Sequence, residues 1–369
     1  MKSAQSKVAI VGAGPAGLAM AACLRREKVP CLVIEQHGHV GSSWVNHYER
    51  LHLHTDKAHS ALPGLDFPKS YPRYPSRQQV VDYLNDYARH HRIEPVFGQR
   101  IESARRVGQG WELRSQDTVY QVETLVVAGG YNRAPQCPTW PGQALFQGEV
   151  LHSGAYTNGA RFKDRRVLVV GLGNSGGEIA IDLWEHGAQA TLAVRSPVNV
   201  ITREVMGIPF LTIGILQSAL PARLADALNA PAMRALVGDL RPYGLRRPSE
   251  GPITQIREQG RVPFIDVGTI KLIKEGQVQV RPGIARFTDD GVVFTDDRAE
   301  GFDAVVLATG YRPDVQSWLQ AGDLGKFDNQ AGLYFCGYHV SATGMLREIA
   351  IEARRLAKLI AREPRPAVA

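Results

Sequence analysis

Two of the apolar runs in this chain lead straight into glycine. Val8-Ala9-Ile10-Val11 is followed by Gly12-Ala13-Gly14-Pro15-Ala16-Gly17, and an alanine- and leucine-rich stretch continues to about Arg26. Cys31-Leu32-Val33-Ile34 then ends at Glu35. Apolar run, glycine turn, helical spacing and second apolar run together predict a β-α-β unit of the dinucleotide-binding kind. The pattern returns later. Arg166–Val170 runs into Gly171-Leu172-Gly173-Asn174-Ser175-Gly176, a helical stretch reaches about His186, and Ala190–Val194 ends at Arg195.

Further along, Phe302–Gly310 predicts a strand and turn that echo Val122–Gly130. Gly332–Gly337 predicts a late strand, and the spacing in Met345–Arg362 predicts an amphipathic helix. The expected fold is α/β, with two Rossmann-like dinucleotide-binding domains. The smaller second domain, 161–296, is inserted into a discontinuous first domain formed by 1–160 and 297–369. Within the insert, 207–240 is apolar with helical spacing. Pro209 and Pro221 confine its most apolar part to fewer than the ~18 residues that a spanning helix needs. Core packing is the expectation for it; a route for a hydrophobic substrate or contact with a membrane surface are the alternatives. The last residues, 364–369, are expected to fray.

Composition narrows the function classes. At 369 residues, with 44% hydrophobic and 21% charged positions, the chain fits an ordinary globular protein of two domains. The net charge of +7 comes without any Lys/Arg run longer than two residues, which favours anionic cofactors over a nucleic-acid surface. Cys23, Cys31, Cys137 and Cys336 form no C-x-x-C pair, so neither a zinc ribbon nor a redox disulfide is expected. Buried free thiols in a reducing compartment are the expectation, with no metal site. The first strand starts close to Met1 and leaves no room for a signal peptide, so the expected location is cytoplasmic.

The glycines carry the first chemical reading. In G-x-G-x-x-G the first glycine makes the tight turn, the second admits the pyrophosphate, and the third lets helix and strand close up. The helix N-terminus then presents free N–H groups to the phosphates. On this reading Gly12, Gly14 and Gly17 form one cradle, and Gly171, Gly173, Asn174, Ser175 and Gly176 form another. Glu35, 23 positions after Gly12, is placed to accept hydrogen bonds from ribose hydroxyls. At the matching place the second unit has Arg195, 24 positions after Gly171, with Ser196 beside it. A carboxylate would repel a 2′-phosphate, whereas a guanidinium and a hydroxyl would bind it. FAD is therefore expected on the first cradle and NADPH on the second. Arg203 is a weaker second candidate for the same phosphate.

Between the cradles lies F-x-G-x-x-x-H-x-x-x-Y, formed by Phe146, Gly148, His152 and Tyr156. With Tyr48–His54, Tyr243–Pro248, Pro263–Thr269 and Leu307–Tyr311, it resembles the class B flavin-dependent monooxygenases, and among them the YUCCA type. The motif ends in Tyr156-Thr157, whereas the Baeyer–Villiger members end in Trp. The resemblance implies that NADPH reduces FAD and that dioxygen adds to give a flavin C4a-(hydro)peroxide. The oxygenated substrate would be a small organic molecule, foremost an aromatic 2-oxo acid such as indole-3-pyruvate, which would be oxidatively decarboxylated. N- or S-oxygenation of amines or sulfides is the alternative, followed by an uncoupled NADPH oxidase producing hydrogen peroxide; a flavin protein without turnover is a further class. It also implies that His152 supports the hinge between domains and that Ala308-Thr309-Gly310 links the two nucleotide sites. The counterpart Ala128-Gly129-Gly130 departs by one glycine. Trp44 would lie near the flavin, and His54 near its oxygen-reacting carbon, with Lys57 as the other polar candidate for catalysis. Thr343 would precede a helix whose N–H groups face the flavin. Partners would be the substrate and dioxygen, with no nucleic acid and no integral membrane segment; a homodimer is left open.

Overall fold

The computed structural model describes residues 2–322 and 327–363. The expected frayed tail, 364–369, lies outside them. A mixed seven-stranded sheet and a parallel five-stranded sheet organise the chain. In the first, Lys2–Val11 lies between Cys31–Ile34 and Thr118–Val127, parallel to both. The early half of Thr118–Val127 also pairs antiparallel with Gly110–Arg114, and its later half pairs in parallel with Leu333–Phe335. Ser103–Val107 and Leu319–Gln320 complete its seven strands. In the second sheet the order is Gln279–Arg281, Gln189–Ala193, Arg166–Val170, Ala304–Leu307, Glu149–His152, all parallel. A three-stranded antiparallel sheet, Ile284–Phe287, Gly291–Phe294 and Ala299–Gly301, packs its Phe287, Val292 and Phe294 against Leu168, Val305 and Leu307.

The central strands read as unbroken apolar runs because both of their faces are covered. Val8, Ala9 and Ile10 are fully buried, as are Val167, Leu168 and Val169 and, in the strand Ala304–Leu307, Ala304, Val305 and Val306. The helix Pro15–Arg26 starts on proline at its first position and ends on Arg25 and Arg26, the end where the dipole favours cations. It lies between the first sheet and the helix Met345–Arg362, whose Leu346, Ile349, Ala353, Leu356 and Ile360 form a single apolar stripe. Each buried Leu or Ile of the stripe stabilises the fold by roughly 1.5–3 kcal/mol.

The chain leaves the first sheet after Val127 and returns to it at Leu319, and every strand of the second sheet lies between those points. The expected boundaries at 160/161 and 296/297 need correction. Glu149–His152 and Ala304–Leu307 sit in the second sheet, because each finds its backbone partners there. The outgoing and returning connections run side by side, Ala134–Pro135 pairing antiparallel with Tyr311–Arg312.

The apolar segment of the insert forms a hairpin tip at 205–208 and two helices, Phe210–Leu216 and Ala222–Val237. It buries Leu211, Ala225, Met233 and Val237 but leaves Met206, Leu216 and Leu228 largely exposed. It is only partly core. No helix among the described residues is long and apolar enough to cross a membrane. The cysteines are all free thiols; Cys23 and Cys336 are buried as expected, while Cys137 is exposed.

Candidate active site

The two glycine turns share one stereochemistry. Gly12 has φ +114° and a side chain there would meet the Ala128 carbonyl oxygen at 2.5 Å; Gly171 has φ +106° and would meet that of Ala308 at 2.7 Å. A Cβ on Gly17 would lie 1.8 Å from the Gly12 oxygen, and one on Gly176 2.0 Å from the Gly171 oxygen. Gly14 and Gly173 have nothing within 4 Å of a built Cβ. The first and third glycines are therefore required by the protein's own packing, whereas the second opens onto free space. Both helices that follow, Pro15–Arg26 and Asn174–Glu185, lack a side-chain cap, so the N–H groups of their first turns remain available to an anion. Each turn can receive a pyrophosphate. Ala308-Thr309-Gly310 packs on the second turn as Ala128-Gly129-Gly130 packs on the first, with Gly310 at φ +84° and Gly130 at +92°. Thr309 donates its hydroxyl to the Gln136 carbonyl.

Glu35 is buried at the end of Cys31–Ile34. Its Oε2 accepts from the Ala13 N–H at 2.8 Å, and its Oε1 accepts from the His37 N–H at 3.0 Å and the Ser42 hydroxyl at 3.2 Å. The carboxylate thus ties strand, turn and the short helix Ser42–Val45 together, and Oε2 keeps a lone pair for a further donor. Gly41 adds an N–H bond to the Ala13 carbonyl at 2.9 Å. On the second unit, Arg195 is exposed just past Gln189–Ala193, with Ser196 half-buried next to it. Asn174 uses its side-chain oxygen on the Ile265 N–H at 2.8 Å, which leaves the turn's backbone as the part that faces outward.

The space between the cradles is bridged by residues from both. His54 Nε2 is hydrogen-bonded to Glu178 Oε1, from the helix Asn174–Glu185. Glu178 is 2% exposed, and its other oxygen, Oε2, is buried without a partner. Tyr48 is also buried, and burial raises its phenol well above the usual range. Burial, with His54 nearby, lowers His47 to about 4, so that imidazole is neutral. Trp44 packs against the cores of both sheets. A side chain at Gly344, which caps the last helix, would touch Thr55 at 3.0 Å and Leu211 at 3.4 Å, so the end of that helix reaches the residue after His54. Thr343 itself turns its hydroxyl to Glu348 and is 8% exposed.

Lys57 needs correction as a catalytic candidate. Its ammonium donates to the carbonyls of Pro68, Lys69 and Tyr71, and these use all three of its N–H bonds. It clamps a loop. His152 is a hydrogen-bonding histidine: the Gly154 N–H donates to Nδ1 at 3.1 Å, so Nε2 carries the proton and donates to the Gly310 carbonyl at 3.0 Å. Tyr156 donates its hydroxyl to Asp182 at 2.6 Å in the core of the second sheet.

Sequence reasoning passed over Glu178, Arg50 and Tyr74. Arg50 crosses from the first unit to Glu185 with two hydrogen bonds of 2.9 and 2.8 Å. Together with Glu178, Arg203 and Val267, Arg50 and Tyr74 line a cavity of about 560 Å³. Arg203 faces this cavity from above the Tyr74 ring, 3.9 Å from its centroid.

Comparison with known proteins agrees with this architecture. Residues 9–205 match the family described as pyridine nucleotide-disulphide oxidoreductase. The chain is 39% identical over 354 residues to the probable indole-3-pyruvate monooxygenase YUCCA7 of Arabidopsis thaliana, a match covering 89% of this chain and 82% of that protein. It is 43% identical over 324 residues to the indole-3-pyruvate monooxygenase YUCCA1 of Oryza sativa subsp. japonica, covering 85% and 79% respectively. Among solved structures, a double mutant of the flavin monooxygenase from Stenotrophomonas maltophilia superposes with a TM-score of 0.76 at 21% identity, over 98% of this chain and 99% of that one. This last likeness is one of fold.

Proposed function

The chain belongs to the YUCCA family of flavin monooxygenases, and from that premise we propose that it uses FAD and NADPH to oxygenate an aromatic 2-oxo acid such as indole-3-pyruvate, with loss of carbon dioxide. Use of a flavin and a nicotinamide cofactor, and monooxygenase action on a small organic substrate, come with the family. The observation that carries the finer reading is the pair of matching cradles, one ending its next strand at Glu35 and the other just before Arg195. The first sheet is then the FAD domain and the second an NADPH domain inserted into it.

Gly14 and the N-terminus of Pro15–Arg26 hold the FAD pyrophosphate, and Glu35 takes its ribose. Gly173 and the N-terminus of Asn174–Glu185 hold that of NADPH, with Arg195 and Ser196 on the 2′-phosphate. When bound, NADPH supplies the hydride and FAD accepts it and activates oxygen. Trp44, Tyr48 and Leu211 keep water from the space between the cradles. His54, held by Glu178, is the group there that can hold a proton or give one up.

With NADPH and oxygen, the purified enzyme is expected to convert indole-3-pyruvate to equimolar indole-3-acetate and carbon dioxide, consuming one equivalent of NADPH. Hydrogen peroxide in place of the acid, with every 2-oxo acid tried, would defeat the proposal in favour of an oxidase. Arg195→Ala is expected to raise KM for NADPH about ten- to a hundredfold, since a charge-assisted contact contributes roughly 1.5–3 kcal/mol. KM for NADH, which carries no 2′-phosphate, stays where it was. Equal losses for both cofactors would remove Arg195 from the phosphate site.

A further inference from the structure

We propose that the cavity beside Glu178 receives the substrate itself, with Arg203 binding its carboxylate; this rests on the reading of the protein as a 2-oxo-acid monooxygenase. At about 560 Å³ the cavity has the size of a small-molecule site. Its charges are almost all spoken for. Arg50 is paired bidentately with Glu185. Arg73 donates to Glu204 at 3.1 Å and to the Gly207 carbonyl at 2.9 Å, and Glu204 also accepts the Tyr74 hydroxyl at 2.8 Å. Glu178 holds His54.

Arg203 is different. Its guanidinium is stacked on the Tyr74 ring and, among the described residues, makes no hydrogen bond or ion pair with the protein. Stacking fixes the plane of a guanidinium and leaves its in-plane N–H fork free, which is the geometry that grips a carboxylate through two parallel bonds. Among the described residues Arg203 is thus the cation on this wall that no carboxylate holds by a hydrogen bond, beside a cavity of ligand size.

Glu178, on the same wall, keeps its Oε2 buried without a donor, and a buried acceptor without a donor is costly. An indolic 2-oxo acid carries the carboxylate that Arg203 lacks.

The test uses the oxidised, FAD-loaded enzyme and indole-3-propionate, an acid of related shape that cannot react. Arg203→Gln should weaken its binding at least tenfold, Arg203→Lys should recover part of the loss, and the affinity for neutral indole-3-propionamide should not change. Flavin content and melting temperature, matched across the variants, exclude a folding effect. Unchanged binding of the acid to Arg203→Gln would overturn the proposal, and so would a parallel rise in KM for NADPH, which would put Arg203 at the cofactor. A wild type that turns over indole-3-pyruvate while Arg203→Gln does so equally well sinks this site alone. A wild type that turns over no 2-oxo acid sinks the functional reading beneath it.

Discussion

Gly17→Ala is expected to give a colourless protein that has lost much of its folding stability. The added methyl would lie 1.8 Å from the Gly12 carbonyl oxygen, far inside van der Waals contact, and the oxygen cannot retreat because Gly12 is itself wedged against Ala128. Gly12→Ala fails for two reasons at once: the 2.5 Å contact with the Ala128 oxygen and a φ of +114° that alanine resists. Overpacking costs typically 1–3 kcal/mol and the backbone strain about 1–3 more. Together these approach half of a typical stability of roughly 5–15 kcal/mol. Gly14→Ala separates folding from binding. Its φ of −79° suits any residue and nothing lies within 4 Å, so the apoprotein should melt with the wild type. Yet its methyl would stand in the pyrophosphate's place, and flavin absorbance per mole of protein should fall steeply. Gly173→Ala, the matching change in the second turn, should stay yellow but resist bleaching by NADPH. A fully yellow Gly14→Ala would mean that no pyrophosphate lies in this turn.

The cradles were legible because their causes are local. A strand, a turn needing positive φ and a helix lie consecutively in the sequence, and each glycine has a steric reason visible in the spacing. The last helix was equally plain from its apolar stripe, Leu346 to Ile360. Sheet membership was not legible. Glu149–His152 and Ala304–Leu307 look like continuations of their sequence neighbours, and only backbone pairing across more than a hundred residues assigns them to the second sheet. The strands Ser103–Val107 and Gly110–Arg114 escaped notice because much of their surface is polar and solvated. Lys57 resembled a reactive group until its three carbonyl acceptors were in view.

Glu178 left a signal that went unused. It and Asp182 are four apart on a helix whose stretch from Gly176 to Leu183 is otherwise small or apolar, and all of it is buried. Two acids at i and i+4 on such a face need partners from elsewhere in the fold. Asp182 has the Tyr156 hydroxyl and Glu178 has His54. The His54–Glu178 pair is thus built by tertiary contact across 124 residues, while the phosphate cradles are built by local sequence.

His54→Ala is expected to destabilise the folded protein by about 3 kcal/mol, more than most single substitutions outside a core. The loss comes from what stays behind. Glu178 has one oxygen on His54 and the other without a donor, so removing the imidazole leaves its carboxylate with no side-chain partner in a 2% exposed position. Breaking a buried pair from one side costs roughly 3–5 kcal/mol, and the lower end applies because the His54 side chain is itself 18% exposed and water can relieve part of the charge. His54→Asn keeps an N–H donor of shorter reach and should fall between the two. Replacing both partners, His54→Leu with Glu178→Met, should be milder than His54→Ala alone, because no charge is then stranded. Urea unfolding of the wild type, His54→Leu, Glu178→Met and the double variant closes a double-mutant cycle, with an expected coupling above about 1 kcal/mol. If His54→Ala unfolds within 0.5 kcal/mol of the wild type, Glu178 does not depend on His54, and the pair that links the two nucleotide units contributes nothing to holding them together.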